Sequence, residues 1–160
     1  RILLKECWGL EPQLCRLPIG ASADEATADA VVLIGDRGMI PPKGTYHTVW
    51  DLGEQWCQWT GLPFVFALWI ARPGLDLDAL DGAFSQARDR GLQQIETIVR
   101  QESSRVGISP DECRRYLREH LRFRLGPRER QGLERFCRLA TAHGLAPMGA
   151  KLVFADPRYS

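Results

Sequence analysis

The stretch Asp51–Arg72 constrains the fold of this chain most, because it joins a capped helix to a long apolar run. Asp51 and Glu54 have capping-box spacing, in which the first side chain accepts a hydrogen bond from the third helical N–H, so a helix is predicted to begin here. Gly61 can take the left-handed conformation that closes a helix, and a proline follows two residues later. From residue 62 to residue 71 every residue except Pro63 is apolar, which predicts that Leu62–Arg72 contains a strand buried on both faces.

Two segments upstream are also predicted to be strands. Asp29–Asp36 is β-branched in its middle and closes with Gly35 and Asp36, which indicates a second buried strand. Pro12–Pro18 is a short run bracketed by prolines and fits an edge strand. Ligands of α/β proteins usually bind beyond the carboxyl end of a strand, so Gly35 and Asp36 mark a candidate ligand loop. The alternative is that the pair only makes a turn.

The remaining segments carry the signals of helices. Residues 1–8 have the pattern of a helix that Gly9 closes. Beyond Pro73, apolar residues recur on one side of a long helix that runs to about residue 104. A second helix is predicted to begin at Ser109, which has a capping box and a following proline, and a third to run from residue 126 to 143. These last three helices are predicted to cover a sheet, with residues 151–154 as a possible further strand.

Composition and charge argue against some classes of protein. The chain has 21 basic and 20 acidic residues, so nothing indicates bulk binding to nucleic acid or to a membrane surface. No segment reaches the roughly 18 apolar residues of a membrane span. The five cysteines are widely spaced, without CxxC or histidine at metal-ligand spacing. We therefore predict no metal site, ordinary buried thiols and a cytoplasmic location.

Three blocks of residues resemble a known family. They are Leu33–Asp36, Asp51–Gly53 with Trp56, and Trp59–Ala67 with Trp69. They resemble the menaquinone-biosynthesis family of chorismate dehydratase, which belongs to the futalosine pathway, and Trp59–Ala67 is the most specific block. Arg124–Pro127 and Gly132 with Leu133 are similar to the family's closing helices, so the resemblance extends from residue 1 to about residue 145.

The resemblance implies an α/β protein with the two-lobed fold of type II periplasmic binding proteins, in which the substrate lies between the lobes. Family members are longer, and this chain is expected to be their C-terminal portion. Residues 1–61 would complete the second lobe and cross toward the hinge. Residues 62–145 would supply the return strand and the helices of the first lobe, and residues 146–160 form a tail without an assigned role.

The implied reaction converts chorismate, a small anionic substrate, to 3-[(1-carboxyvinyl)oxy]benzoate and water. It needs no redox cofactor or metal, and the sequence has no Gly-rich dinucleotide loop. The oligomeric state is left open. The alternatives are a solute-binding protein of the same fold that captures an anionic metabolite, and the sister enzyme that acts on a cyclised futalosine product. We also expect the 160 residues alone to be inactive.

The resemblance implies substrate contacts from two segments of this chain, while the catalytic residues are expected upstream of Arg1 and are not assigned. The predicted substrate-binding residues are Gly35, Asp36, Arg37, Thr60, Gly61, Leu62 and Pro63. Asp36 is interpreted as orienting a donor or accepting a proton, or else as capping its own loop. Arg37 is a candidate for binding a substrate carboxylate, or else is solvated. Thr60 either donates to the ligand or bonds its own helix backbone.

The aromatic and histidine residues add no further site. Trp56, Trp59 and Trp69 are predicted to be core residues rather than a stack around a ligand, because helical and strand spacing already explain them. The three histidines, His47, His120 and His143, are separated in the sequence from acid and nucleophile motifs, and none is assigned as a base.

Overall fold

The structure, a computed structural model, describes residues 1–39, 44, 46–72, 74–149 and 152–154. Seven α-helices lie within these residues: α1 (Ile2–Trp8), α2 (Asp36–Met39), α3 (Leu52–Thr60), α4 (Leu77–Gln93), α5 (Ile95–Val106), α6 (Pro110–Arg115) and α7 (Pro127–Ala142). A 3-10 turn covers Ala23–Glu25, and a π-helical turn covers Tyr116–His120. No β-strand occurs in the described ranges. None of the described helices is both long enough and apolar enough to cross a bilayer.

The chain divides into two compact units. The first unit comprises Arg1–Glu11, Trp50–Gln94 and Leu121–Ser160, and the second comprises Pro12–Val49 and Ile95–His120. The division into lobes at residues 61 and 62 stays a prediction.

The first unit is built around the indole of Trp56, which is 1% exposed. Trp56 packs with Ile2 of α1 and Ala140 of α7, so α1, α3 and α7 share one core. The rings of Trp59, Phe64 and Phe136 meet the Trp56 ring edge to face, at centroid distances of 5.6, 5.6 and 5.8 Å. Such pairs add stabilisation beyond the burial of apolar area. The core prediction for Trp56 and Trp59 is confirmed.

The second unit has a smaller core between α5 and α6. Val99, at 1% exposure, packs with Ile95 and Cys113, and Ile108 and Leu117 cover these three side chains. Beside this core, Arg114 of α6 donates from Nε and Nη2 to both carboxylate oxygens of Glu96 on α5, at 3.0 to 3.2 Å. The paired geometry fixes the two helices to each other.

Three helix ends lie at the residues that the sequence predicted. The Asp51 carboxylate accepts from the N–H of Gly53 and of Glu54 at 2.8 and 3.0 Å, which caps α3. Ser109 and Glu112 form the predicted capping box at α6, and Gly9 closes α1 in the left-handed conformation. The predicted long helix is two helices, α4 and α5, which are separated at Gln94.

The segments that were predicted as strands are irregular here. Residues 12–18, 29–34 and 62–72 belong to no strand, and Val32 and Ile34 are exposed. Phe66, Trp69 and Ile70 are 73%, 80% and 86% exposed, in contrast to the predicted burial on both faces. The physical reason is that a strand needs a neighbouring strand for its ladder of hydrogen bonds, and the described residues supply none. Residues 152–154 are also irregular, and residue 151 lies outside the described residues.

Two further predictions need correction. Trp69 is not a core residue, because it is exposed and stacks on Phe84 with ring centroids 4.7 Å apart. All five cysteines are free thiols, but only Cys113 is buried, while Cys15 and Cys57 are exposed. The prediction of buried thiols is therefore wrong for those two residues. The prolines and glycine of Pro41–Gly44 predict an exposed turn, and residues 41–43 lie outside the described residues.

Candidate functional site

The predicted binding segment of the first unit is a tight turn at the end of α3, residues 60–63, which we call the Thr60–Pro63 turn. Gly61 has φ 68° and ψ 8°, the left-handed conformation that the sequence predicted. Its N–H donates to the carbonyl oxygen of Cys57 at 2.8 Å, and the N–H of Leu62 donates to Thr60 Oγ1 at 3.1 Å. Pro63 has no N–H. The backbone donors at residues 61 and 62 are therefore already used within the chain.

The hydroxyl of Thr60 is also engaged. It donates to the carbonyl oxygen of Trp56 at 2.7 Å, one helical turn back. This matches the alternative interpretation of Thr60, in which its side chain bonds its own helix. The turn is thus rigidly built by local hydrogen bonds, and any donors for a ligand must come from residues around it.

Helix α7 provides such donors. Arg128 Nη2 donates to the carbonyl oxygen of Gly61 at 2.6 Å, and Arg135 Nη1 donates to the carbonyl oxygen of Thr60 at 3.4 Å. The two arginines are seven residues apart, two helical turns, so they lie on the same face of α7. The Arg135 guanidinium also lies over the Trp59 ring, 5.0 Å from its centroid. Sequence reasoning missed both residues.

Gly132 lies between the two arginines along α7 and lets the helix approach the turn. It is buried, and a β-carbon at this position would overlap the carbonyl oxygen of Pro63. The backbone of the turn therefore rests directly on the backbone of α7 at this point. Three residues on one helix face, Arg128, Gly132 and Arg135, hold the turn in place.

The other predicted binding segment, residues 35–37, belongs to the second unit. Gly35 has φ 61° and precedes α2, and its carbonyl oxygen accepts from the N–H of Gly38 at 2.9 Å. Arg37 is exposed, and its Nη2 donates to the carbonyl oxygen of Ala21 at 2.7 Å. Arg37 therefore joins the start of α2 to a neighbouring loop through one donor.

A cavity of about 480 Å³ also belongs to the second unit, and Asp24, Val31 and Tyr46 are among its lining residues. The Tyr46 hydroxyl donates to Asp24 Oδ1 at 2.8 Å. This hydrogen bond to a carboxylate raises the pKa of Tyr46 above its ordinary value, since the phenol must give up a donor to ionise. Tyr46 is therefore a neutral donor to Asp24 at physiological pH.

One histidine has an acid partner that sequence spacing did not reveal. His143 Nε2 lies 2.7 Å from Glu6 Oε1, which links the end of α7 to α1. The two residues are 137 positions apart, so no local motif signals the pair. The contact joins two helices that pack in the core of the first unit.

Comparison with known proteins identifies the family. The sequence model of a family described as menaquinone biosynthesis matches residues 1–142. The chain is 34% identical to the chorismate dehydratase of Thermus thermophilus over 167 aligned positions, which cover 92% of this chain and 59% of that protein. The chain spans 59% of the length of this curated relative. No solved structure matches. The chain belongs to the menaquinone-biosynthesis family, and the family assigned from the sequence is confirmed.

Proposed function

We propose that the complete protein containing these residues is a chorismate dehydratase, a carbon–oxygen lyase of menaquinone biosynthesis. The observation that carries this proposal is the match to the Thermus thermophilus enzyme, at 34% identity over 92% of this chain. The family match across residues 1–142 points to the same pathway. The proposal includes a cytoplasmic location and a small anionic metabolite as the substrate.

The proposed reaction removes the hydroxyl group from C4 of the chorismate ring and the hydrogen from C3. The products are 3-[(1-carboxyvinyl)oxy]benzoate and one water, so atoms balance without an oxidant or reductant. Aromatisation of the ring supplies the driving force. The enzyme must bind two carboxylates, take up the C3 proton and assist the departing hydroxide.

The proposed architecture is the two-lobed α/β fold of type II periplasmic binding proteins, with the substrate enclosed between lobes. Enclosure excludes water and strengthens the interactions of fixed donors with a charged substrate. In this proposal residues 35–37 and the Thr60–Pro63 turn each contribute substrate contacts. Their left-handed glycines, Gly35 and Gly61, support this by holding two sharp turns that side chains rarely tolerate.

The experiment that tests the proposal is incubation of the complete purified protein with chorismate, followed by chromatography and mass spectrometry. We expect time-dependent formation of an aromatic product whose mass is lower than that of chorismate by one water. An incubation without protein corrects for spontaneous decay of chorismate. Failure of a folded, monodisperse protein to form this product at saturating chorismate rejects the proposal. Tight binding without turnover would instead identify a binding protein.

A further inference from the structure

Two positively charged side chains lie beside the Thr60–Pro63 turn and have no acidic partner in the described part of the chain. We propose that Arg128 and Arg135 bind a carboxylate of the substrate at this turn. The inference rests on the proposed function, because it assigns the residues that receive an anionic substrate there.

The first support is the charge of the pair. Some other arginines among the described residues pair with carboxylates, such as Arg114 with Glu96 and Arg124 with Asp89. In the described ranges, the hydrogen bonds of Arg128 and Arg135 go to the backbone carbonyl oxygens of Gly61 and Thr60. The partial negative charge at the C-terminal end of α3 stabilises the two guanidinium groups there. No carboxylate of the described residues pairs with them.

The second support is the supply of donors. A guanidinium has five N–H groups, and the contacts described use one from each arginine. The turn has no free backbone donor at residues 61, 62 or 63, as described above. Any carboxylate that docks at this turn must therefore take its hydrogen bonds from side chains, and the guanidinium fork matches a carboxylate in geometry.

The third support is preorganisation. Arg135 is half-buried, and its guanidinium lies against the ring of Trp59, which itself packs into the core around Trp56. Arg128 is exposed and is aimed at the turn by its short bond to Gly61. Both side chains are thus oriented before an anion arrives, which lowers the entropic cost of binding it.

The test compares R128Q, R128K, R135Q and R135K in the complete protein, using the dehydratase assay and equilibrium binding of chorismate. The glutamine variants should raise KM and Kd for chorismate about 10- to 100-fold, as expected for loss of a charged hydrogen bond. The change in kcat should be smaller. The lysine variants keep the charge but lose the fork, so they should fall between glutamine and wild type.

A matched control is R138Q. Arg138 lies on the same helix, is exposed, and makes no ion pair or hydrogen bond among the described residues. Its variant should behave as wild type. R128Q is the decisive variant, because R135Q also removes the contact with Trp59 and can weaken the core.

Salt dependence separates a binding role from a structural one. KM of the wild type should rise with ionic strength, because salt screens the attraction, and KM of R128Q should rise less steeply. If R128Q, R138Q and wild type share the same KM, Kd and salt dependence, the inference is wrong. If the wild type binds chorismate but forms no product, and R128Q weakens that binding, the proposed function fails while the binding role stands.

Discussion

Gly132 of α7 rests against the carbonyl oxygen of Pro63 so closely that a β-carbon at residue 132 would overlap that oxygen. The oxygen belongs to backbone, which cannot rotate away as a long side chain can. The contact therefore makes glycine the residue that this position requires. It also joins the end of α3 to the middle of α7 inside the first unit.

We predict that G132A destabilises the protein by about 1–3 kcal/mol, the usual cost of overpacking a filled site. Alanine favours helix over glycine by about 1 kcal/mol, so the observed loss will be a net value. The control is G91A in α4, where an added β-carbon meets nothing within 4 Å. G91A should stabilise slightly. Urea denaturation measures both variants, and a G132A protein as stable as G91A would contradict the packing described.

The core of the first unit gives a second prediction. Trp56 is 1% exposed, and its Nε1 has no hydrogen-bond partner in the described part of the chain. W56A should cost about 3–5 kcal/mol, since it removes a large buried ring. W56F should cost much less, because it keeps most of the packing and removes the unpaired donor.

The matched control for this series is W69A, at a tryptophan that is 80% exposed. It should lose about 1 kcal/mol or less, the value of an aromatic contact at the surface. Thermal unfolding followed by circular dichroism compares the three variants. Equal losses for W56A and W69A would show that Trp56 is not the centre of the core.

A pH dependence follows from the ion pair of the second unit. The hydrogen bonds from Arg114 hold the pKa of Glu96 below its ordinary value. A carboxylate with a lowered folded-state pKa contributes stability above its unfolded pKa and loses it as the pH falls through the folded value. We therefore predict that acid weakens the contact between α5 and α6, at pH values below about 4.3, the ordinary pKa of glutamate.

The variants E96Q and R114Q test this pH dependence. Each should flatten the loss of stability in acid, and the double variant should be no flatter than either single variant, because both remove the same interaction. Denaturant unfolding at several pH values, from neutral to acidic, gives the dependence of the free energy of unfolding on pH for each variant. Additive effects of the two substitutions would mean that the residues act independently.

The helices could be predicted from the sequence because their signals are local. The side chain of Asp51 bonds N–H groups two and three residues away, and Ser109 and Glu112 bond each other across three. Such contacts form whenever the right residues stand at the right spacing. The candidate site likewise has a local feature that could be predicted and long-range contacts that could not. The left-handed Gly61 was predicted, whereas Arg128 and Arg135 meet carbonyl groups 67 and 75 positions away, which no short pattern encodes.

The strands could not be judged from the apolar run alone. Hydrophobicity indicates that residues 66–72 favour burial, but it does not specify which surface covers them. A helix satisfies its own backbone, whereas a strand depends on a neighbour.

The proposed two-lobed fold makes a testable statement about residues 66–72 in the complete protein. These residues include the exposed side chains of Phe66, Trp69 and Ile70, and the proposal places them in a sheet. Amide groups in a sheet exchange slowly with solvent, because each is held by a ladder hydrogen bond. Hydrogen exchange of the complete protein, read by mass spectrometry, should show residues 66–72 protected about as strongly as the buried part of α7 around Leu133. The loop at residues 19–22 is the internal control and should exchange rapidly. If residues 66–72 exchange as fast as that segment, they are not a strand in the complete protein. The prediction that they carry the chain from one lobe to the other is then wrong.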